Sequence, residues 1–195
     1  MRRFWSVDDG DDRDALSVSQ LEEMSIAENN RLIYGELRPL APISYRFVTG
    51  QTPKDLVGTG YPGRFLLAER VFNALRCERC TGWSTYPVRL LGADGLEISG
   101  YQGLAITGRC GHPDNSRRQV IEVLPFGKFA RVRGLYLDEK TWDGTDVFFL
   151  QGSYHICVTD AARRAIMALP PSNIRFTALD EITGIVKIEQ VKRPE

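Results

Sequence analysis

What this chain lacks is net charge. Its 25 lysines and arginines balance 25 aspartates and glutamates, so no overall field draws it to nucleic acid or to an anionic membrane. Dedicated nucleic-acid binding is therefore not expected, although a local basic patch is compatible with a neutral total. Cysteine is also sparse. Four in 195 residues do not make a disulfide scaffold. No apolar run approaches the length of a membrane-spanning helix. No apolar core follows Arg2-Arg3, so a secretory signal is not expected and a cytoplasmic location is. The sequence contains no G-x-S-x-G, H-E-x-x-H or Walker loop, and only two histidines. His112 sits in a polar stretch, and His155 opens an apolar strand. The apolar fraction, 43%, is enough for one folded domain.

What is present is a pattern stated twice. Phe65–Leu75 followed by Trp83–Val88, and His155–Ile166 followed by Ile174–Leu179, each read as a buried strand, a short helix and a second strand. Aligning them takes a one-residue gap around Arg164. The units span about 62–95 and 152–185. The helices carrying Val71, Phe72 and Leu75, and Ala162, Ala165, Ile166 and Leu169, are expected to cover one sheet in related positions.

Around these units the alternation is strand-like. Arg3–Val7, Ile43–Val48, Tyr86–Leu91, Leu96–Ile106, Val120–Leu124, Ala130–Leu137, Val147–Leu150 and Ile185–Val191 are the expected strands. Asp94-Gly95 marks a hairpin. Ser17 and Ser19 stand three residues before Gln20 and Glu22, a capping-box spacing that predicts a short helix through Leu21, Met24 and Ile26. Thr159 caps a second helix that Pro170 and Pro171 end. The sum is a single α+β domain over 1–195, a mostly antiparallel sheet with a few short helices.

Candidate sites are few. Gly58–Gly63 matches G-x-G-x-x-G, but Pro62 removes a donor amide and a strand follows where a nucleotide loop would open a helix. Cys77 and Cys80, with Cys110 and His112, would make a Cys3His zinc set, although C-x-H is not a standard second half. The alternative is a helix end with one buried and one exposed thiol. Neither metal nor cofactor is therefore expected. Cys110 with His112 can be drawn as nucleophile and base, but no orienting carboxylate is identified. Two polar stretches suit recognition. One is the acidic turn of Asp8, Asp9, Asp11, Asp12 and Asp14. The other is the donor-rich loop with Arg109, His112, Asp114, Asn115, Arg117 and Arg118. Trp142 beside Asp143 offers an aromatic anchor if exposed, and a core tryptophan under a turn if not.

Pro53-Lys54-Asp55-Leu56, then Phe65-Leu66-Leu67-Ala68-Glu69-Arg70, then Tyr86-Pro87-Val88 resemble the opening of immunity proteins from bacterial polymorphic toxin systems. Gly100–Gly111 and Trp142–Asp146 are similar to stretches of the same group, and the likeness runs from about Pro53 to Leu179. Ala68 stands where a serine is usual. The resemblance implies a non-enzymatic protein that neutralises a cognate toxin by binding it in the cytoplasm, with no catalytic residues to carry over. A zinc-containing binding module and a small cysteine-dependent enzyme are the alternatives.

Overall fold

The computed structural model describes residues 3–10, 14–125, 127–170 and 172–191. In chain order, β1 (Phe4–Asp8) and β2 (Ser17–Gln20) precede α1 (Ile26–Ile33). β3 (Ile43–Thr49), β4 (Leu56–Gly58) and β5 (Phe65–Ala68) lead into α2 (Glu69–Cys77). Next come β6 (Trp83–Tyr86), β7 (Val88–Leu91), β8 (Glu97–Ile98), β9 (Tyr101–Ile106) and β10 (Gly108–Cys110). β11 (Gln119–Val123) and β12 (Phe129–Arg133) form a hairpin before β13 (Val147–Leu150) and β14 (Ile156–Thr159). α3 (Asp160–Met167), β15 (Arg175–Ala178) and β16 (Thr183–Lys187) close the described chain. The fold is α+β, and its strand pairs are mostly antiparallel.

Three sheets form. Their strand orders are β6-β9-β5-β4-β2-β3-β7-β8, β10-β13-β14-β1-β15 and β11-β12-β16. The two strand–helix–strand units thus lie on separate sheets, not on the one sheet expected. α2 and α3 meet between the sheets and bury Val71, Phe72, Leu75, Ala162, Ala165 and Ile166 in one cluster. Both helices have apolar residues on one stripe, so each needs two neighbours, a sheet and the other helix.

The repeat is longer and more regular than its sequence trace. Five strands of the larger sheet, β6-β9-β5-β4-β2, match β15-β1-β14-β13-β10. In both sets the outermost pair is parallel and the others are antiparallel. Gly103 faces Leu66 on one side and Tyr86 on the other, as Ser6 faces Cys157 and Thr177. One constant offset relates Leu66 to Cys157 and Tyr86 to Thr177, so the gap around Arg164 is not needed. Gly103 is required by its partner: a Cβ there would lie 2.0 Å from the Tyr86 ring. The smaller Thr177 leaves room for Ser6.

Two strands are exchanged. β1 begins the first repeat yet lies between β14 and β15 in the second repeat's sheet, and β9 begins the second yet lies between β5 and β6 in the first's. Each helix-bearing unit therefore closes around a strand supplied by the other.

Several local readings need correction: the expected strand Ala130–Leu137 ends at Arg133, before Gly134 (φ 95°), and Tyr86–Leu91 is split at Pro87 between β6 and β7. Ser17–Gln20 is strand β2, because long-range pairing with β3 overrides the local capping spacing. The helix starts later, at Ser25, whose side chain and that of Glu28 form the actual capping box. Leu96–Ile106 is two strands, broken at Gly100 (φ 82°) so that β8 pairs β7 and β9 enters the repeat. The expected final strand stops at Lys187. Ile188–Gln190 then turns, which buries Val191 against Ala130 and Val132.

Candidate partner-binding site

The residues that carry the family resemblance are scaffold. Asp55 is 3% exposed and receives the Arg70 guanidinium in a two-pronged pair, with Nη2 to Oδ2 at 2.8 Å. Its backbone carbonyl accepts the Ala68 amide at 2.8 Å. Asn173, from the second repeat, accepts from the Leu56 amide (3.0 Å) and donates to the Leu56 carbonyl (2.8 Å). The glycine motif at 58–63 joins two antiparallel strands, β4 and β5, and opens no helix.

The zinc quartet is not assembled. Cys77, the last residue of α2, is exposed, and Cys80 is buried among the helices. Cys110 lies in a different cluster, with Cys157. Among the described residues no three His, Cys, Asp or Glu side chains are placed to share a metal ion. Burial pushes the Cys80 thiol up to about 11, with Asp146 and Glu78 adding to it. Burial likewise raises Cys110, and raises Cys157 further. These thiols are held protonated, the opposite of an activated nucleophile. Cys110 contacts the Asp138 carbonyl and the Thr141 hydroxyl, while His112 is exposed near Gly152.

Several candidate contact residues are engaged within the chain. The Arg109 guanidinium donates to the carbonyls of Ile106, Gly108 and Tyr34 and lies over the Tyr34 ring. Trp142 is half-buried, edge-on to Phe4, and donates from Nε1 to the Thr145 carbonyl at 3.0 Å. That is a tryptophan packed under its own turn. Asp143 accepts from the Arg109 amide (2.7 Å) and from the Thr145 amide (3.0 Å). In the acidic turn, Asp8 accepts from the Gly10 amide, Asp14 receives the Thr52 hydroxyl, and Asp9 is exposed. Asp11 and Asp12 lie outside the described residues. His112, Asp114 and Arg117 do come together, around an open concavity of about 500 Å³ with Asp138, Glu139 and Lys140. Asn115 and Arg118 flank it in the chain, each with a buried polar atom lacking a hydrogen-bond partner.

Sequence reasoning passed over the three-stranded sheet. β12 alternates strictly, with Ala130 and Val132 facing in and Phe129, Arg131 and Arg133 facing out. On β16, Ile185 pairs with Arg131 and is 61% exposed; Phe129 is 44% exposed. Ile121, at the bulge where β11 slips against β12, is exposed as well. Arg131 reaches Glu122 at 3.7 Å. Arg131, Arg133 and Lys187 outnumber Glu122 on these strands, with Lys128 just before β12 and Glu189 just after β16, 3.8 Å from Lys187, so a neutral chain carries a local basic, apolar patch here. The signal was in the sequence, as exposed-phase apolar residues in strands of cationic alternation. It could not be read until the inner face was known.

Among the described residues no helix is long and apolar enough to cross a membrane. Compared with known proteins, the chain matches no family model and no curated relative.

Proposed function

We infer that this chain is an immunity-type protein that neutralises a cognate bacterial toxin by direct binding in the cytoplasm, without turnover of a substrate. The observation that carries the reading is the exposed face of the β11-β12-β16 sheet. Ile185 and Phe129 stand clear of the core beside arginines. Exposed apolar side chains among forked donors are the composition of interface anchors. The positive excess selects an acidic partner surface. The resemblance on Asp55, Leu56 and Phe65–Arg70 supports the same reading. Those residues build β4, β5 and the start of α2, on the larger sheet.

The test is the binding kinetics of the full chain against the product of the adjacent gene. Ile185→Ala and Phe129→Ala should each weaken binding by about tenfold or more. Arg133→Gln should mainly slow association and flatten its salt dependence. No detectable binding of the wild-type chain, alongside turnover of a small substrate, would overturn the reading.

A further inference from the structure

At the inner end of the same sheet lies a cavity of about 200 Å³, between β12, β16 and the connection from β13 to β14. Its polar walls are Arg118, Ser153, His155 and Thr183, and no described residue that lines it is acidic. The Arg118 Nε is buried and has no hydrogen-bond acceptor among the described residues. A buried donor left unmade costs far more than a made bond contributes, so such an atom needs an acceptor. The His155 ring meets Ser6 Oγ through Nδ1 at 3.2 Å. It lies near enough to Arg118 for that charge to oppose its protonation, with Asp8 acting weakly in the other sense. Two donor-bearing side chains thus share one cavity with no carboxylate among its described lining residues. Ile185, the most exposed apolar residue of the sheet, also lines the rim. The cavity, on the inner side with Val132 and Val186, and the proposed docking face thus share the edge strand β16.

We propose that this cavity is a carboxylate-binding site, filled in the complex by an acidic side chain of the partner protein. The guanidinium supplies a directed charge-assisted donor. The imidazole becomes a second donor once a carboxylate favours its protonated form. The partner assignment rests on the binding role inferred above; the carboxylate site itself does not.

Two variants test it. Arg118→Gln removes the charge. Gly184→Val fills the space: Gly184 lines the cavity, its φ is not in the left-handed region, and a Cβ there meets nothing within 4 Å. In the first arm the full chain is titrated with acetate and with succinate while the His155 ring is followed by NMR. The wild type should respond saturably, with its imidazole pKa moving upward, and both variants should lose the response. In the second arm both variants should bind the adjacent gene product about tenfold more weakly or worse, chiefly through faster dissociation. Loss in both arms supports the proposal. No response of His155 to either carboxylate, with partner affinity unchanged in both variants, overturns it. A carboxylate response with unchanged partner affinity overturns the partner assignment and leaves a small-molecule site. A carboxylate response with no partner binding by the wild type sinks the immunity reading and upholds the cavity.

Discussion

The two repeats share one strand order and one register, yet equivalent positions hold them together by different chemistry. In the first, Arg70 closes on the buried Asp55, and Ala68 caps α2 without a side-chain hydrogen bond. In the second, Ala161 occupies the Arg70 position. The Asp55 equivalent, Asp146, receives the Thr159 hydroxyl at 2.7 Å, and that hydroxyl also accepts from the Ala162 amide at the start of α3. The backbone bond is common to both: Ala68 N to the Asp55 carbonyl, and Thr159 N to the Asp146 carbonyl. The same split appears one position before each core strand. Arg64, 3% exposed, is met by the neutral oxygens of Gln20, Asn29 and Thr59, whereas its counterpart His155 is met by Ser6. The lesson is that backbone pairing sets the architecture. Side chains at the junctions are interchangeable solutions to one problem, which is to satisfy a carboxylate beside a helix start, fully buried at Asp55 and half-buried at Asp146.

The strand exchange makes the halves interdependent, and truncating their helices tests this most severely. Leu75→Ala and Ile166→Ala, equivalent positions in α2 and α3, should each cost about 2–5 kcal/mol in urea denaturation. Because each sheet incorporates a strand from the other repeat, both variants should shift a single cooperative transition. Two separable transitions would mean that the exchange does not couple the halves. A loss below about 0.5 kcal/mol at either site would place that residue outside the core.

The junction chemistry separates the halves next. Arg70→Met leaves the Asp55 carboxylate buried without its cation, at a cost of about 2–3 kcal/mol. This is below the range for a fully enclosed pair, since the Arg70 side chain is 44% exposed. Thr159→Ala, at the other junction, should cost about 1 kcal/mol, the usual loss of an N-cap hydroxyl. Equal losses would erase the distinction between ion-pair and hydroxyl solutions.

Much of this comparison was legible in the residues, and the rest was hidden for identifiable reasons. Both helices, their buried faces and most strands followed from periodicity, and Thr159 was readable as a cap. The split of Cys77 and Cys80 into one exposed and one buried thiol was among the readings weighed. The exchange of β1 and β9 was not legible, because nothing local distinguishes a strand that pairs at home from one that pairs across the chain. Ser17–Gln20 misled because the S-x-x-Q/E spacing occurs three times close together, and only Ser25 with Glu28 is free of a competing sheet partner. At the candidate site, Arg109 and Asp143 looked like recognition groups because their residue types are. The bonds of Arg109 to the Tyr34 carbonyl and of Asp143 to the Arg109 amide, both distant in sequence, show that the same donors and acceptors are used to tie the connection down.

A pH titration sharpens the comparison at the paired positions before the core strands. Partial desolvation of a residue that stays exposed overall, and then the Arg118 charge, lower the His155 pKa, with Asp8 opposing. The unfolded chain therefore takes up a proton, near pH 6.5, before the folded protein does. Stability is complete above that value, falls as the pH drops through it, and levels off below the folded pKa. The first repeat has Arg64 at this position. His155→Gln should flatten the stability profile between about pH 7 and pH 5, measured by urea melts across the series. An unchanged slope would show that other groups carry it.

The smallest effect is the most direct transplant between the repeats. Ala68 adopts the extended N-cap conformation (φ −61°, ψ 143°) with no side chain to accept an amide. Thr159 holds nearly the same geometry (φ −76°, ψ 168°) and accepts from Ala162. The backbone at Ala68 is thus already placed for a capping hydroxyl, so adding one requires no rearrangement of the helix start. Ala68→Ser should stabilise the protein by about 1 kcal/mol, as N-cap hydroxyls do, and raise the melting temperature by a few degrees. Combined with Arg70→Met it should recover part of the loss, because the new hydroxyl would stand to Asp55 as Thr159 stands to Asp146. Strictly additive effects in that double mutant would show no communication between cap and carboxylate, and the second repeat's solution would not be portable to the first.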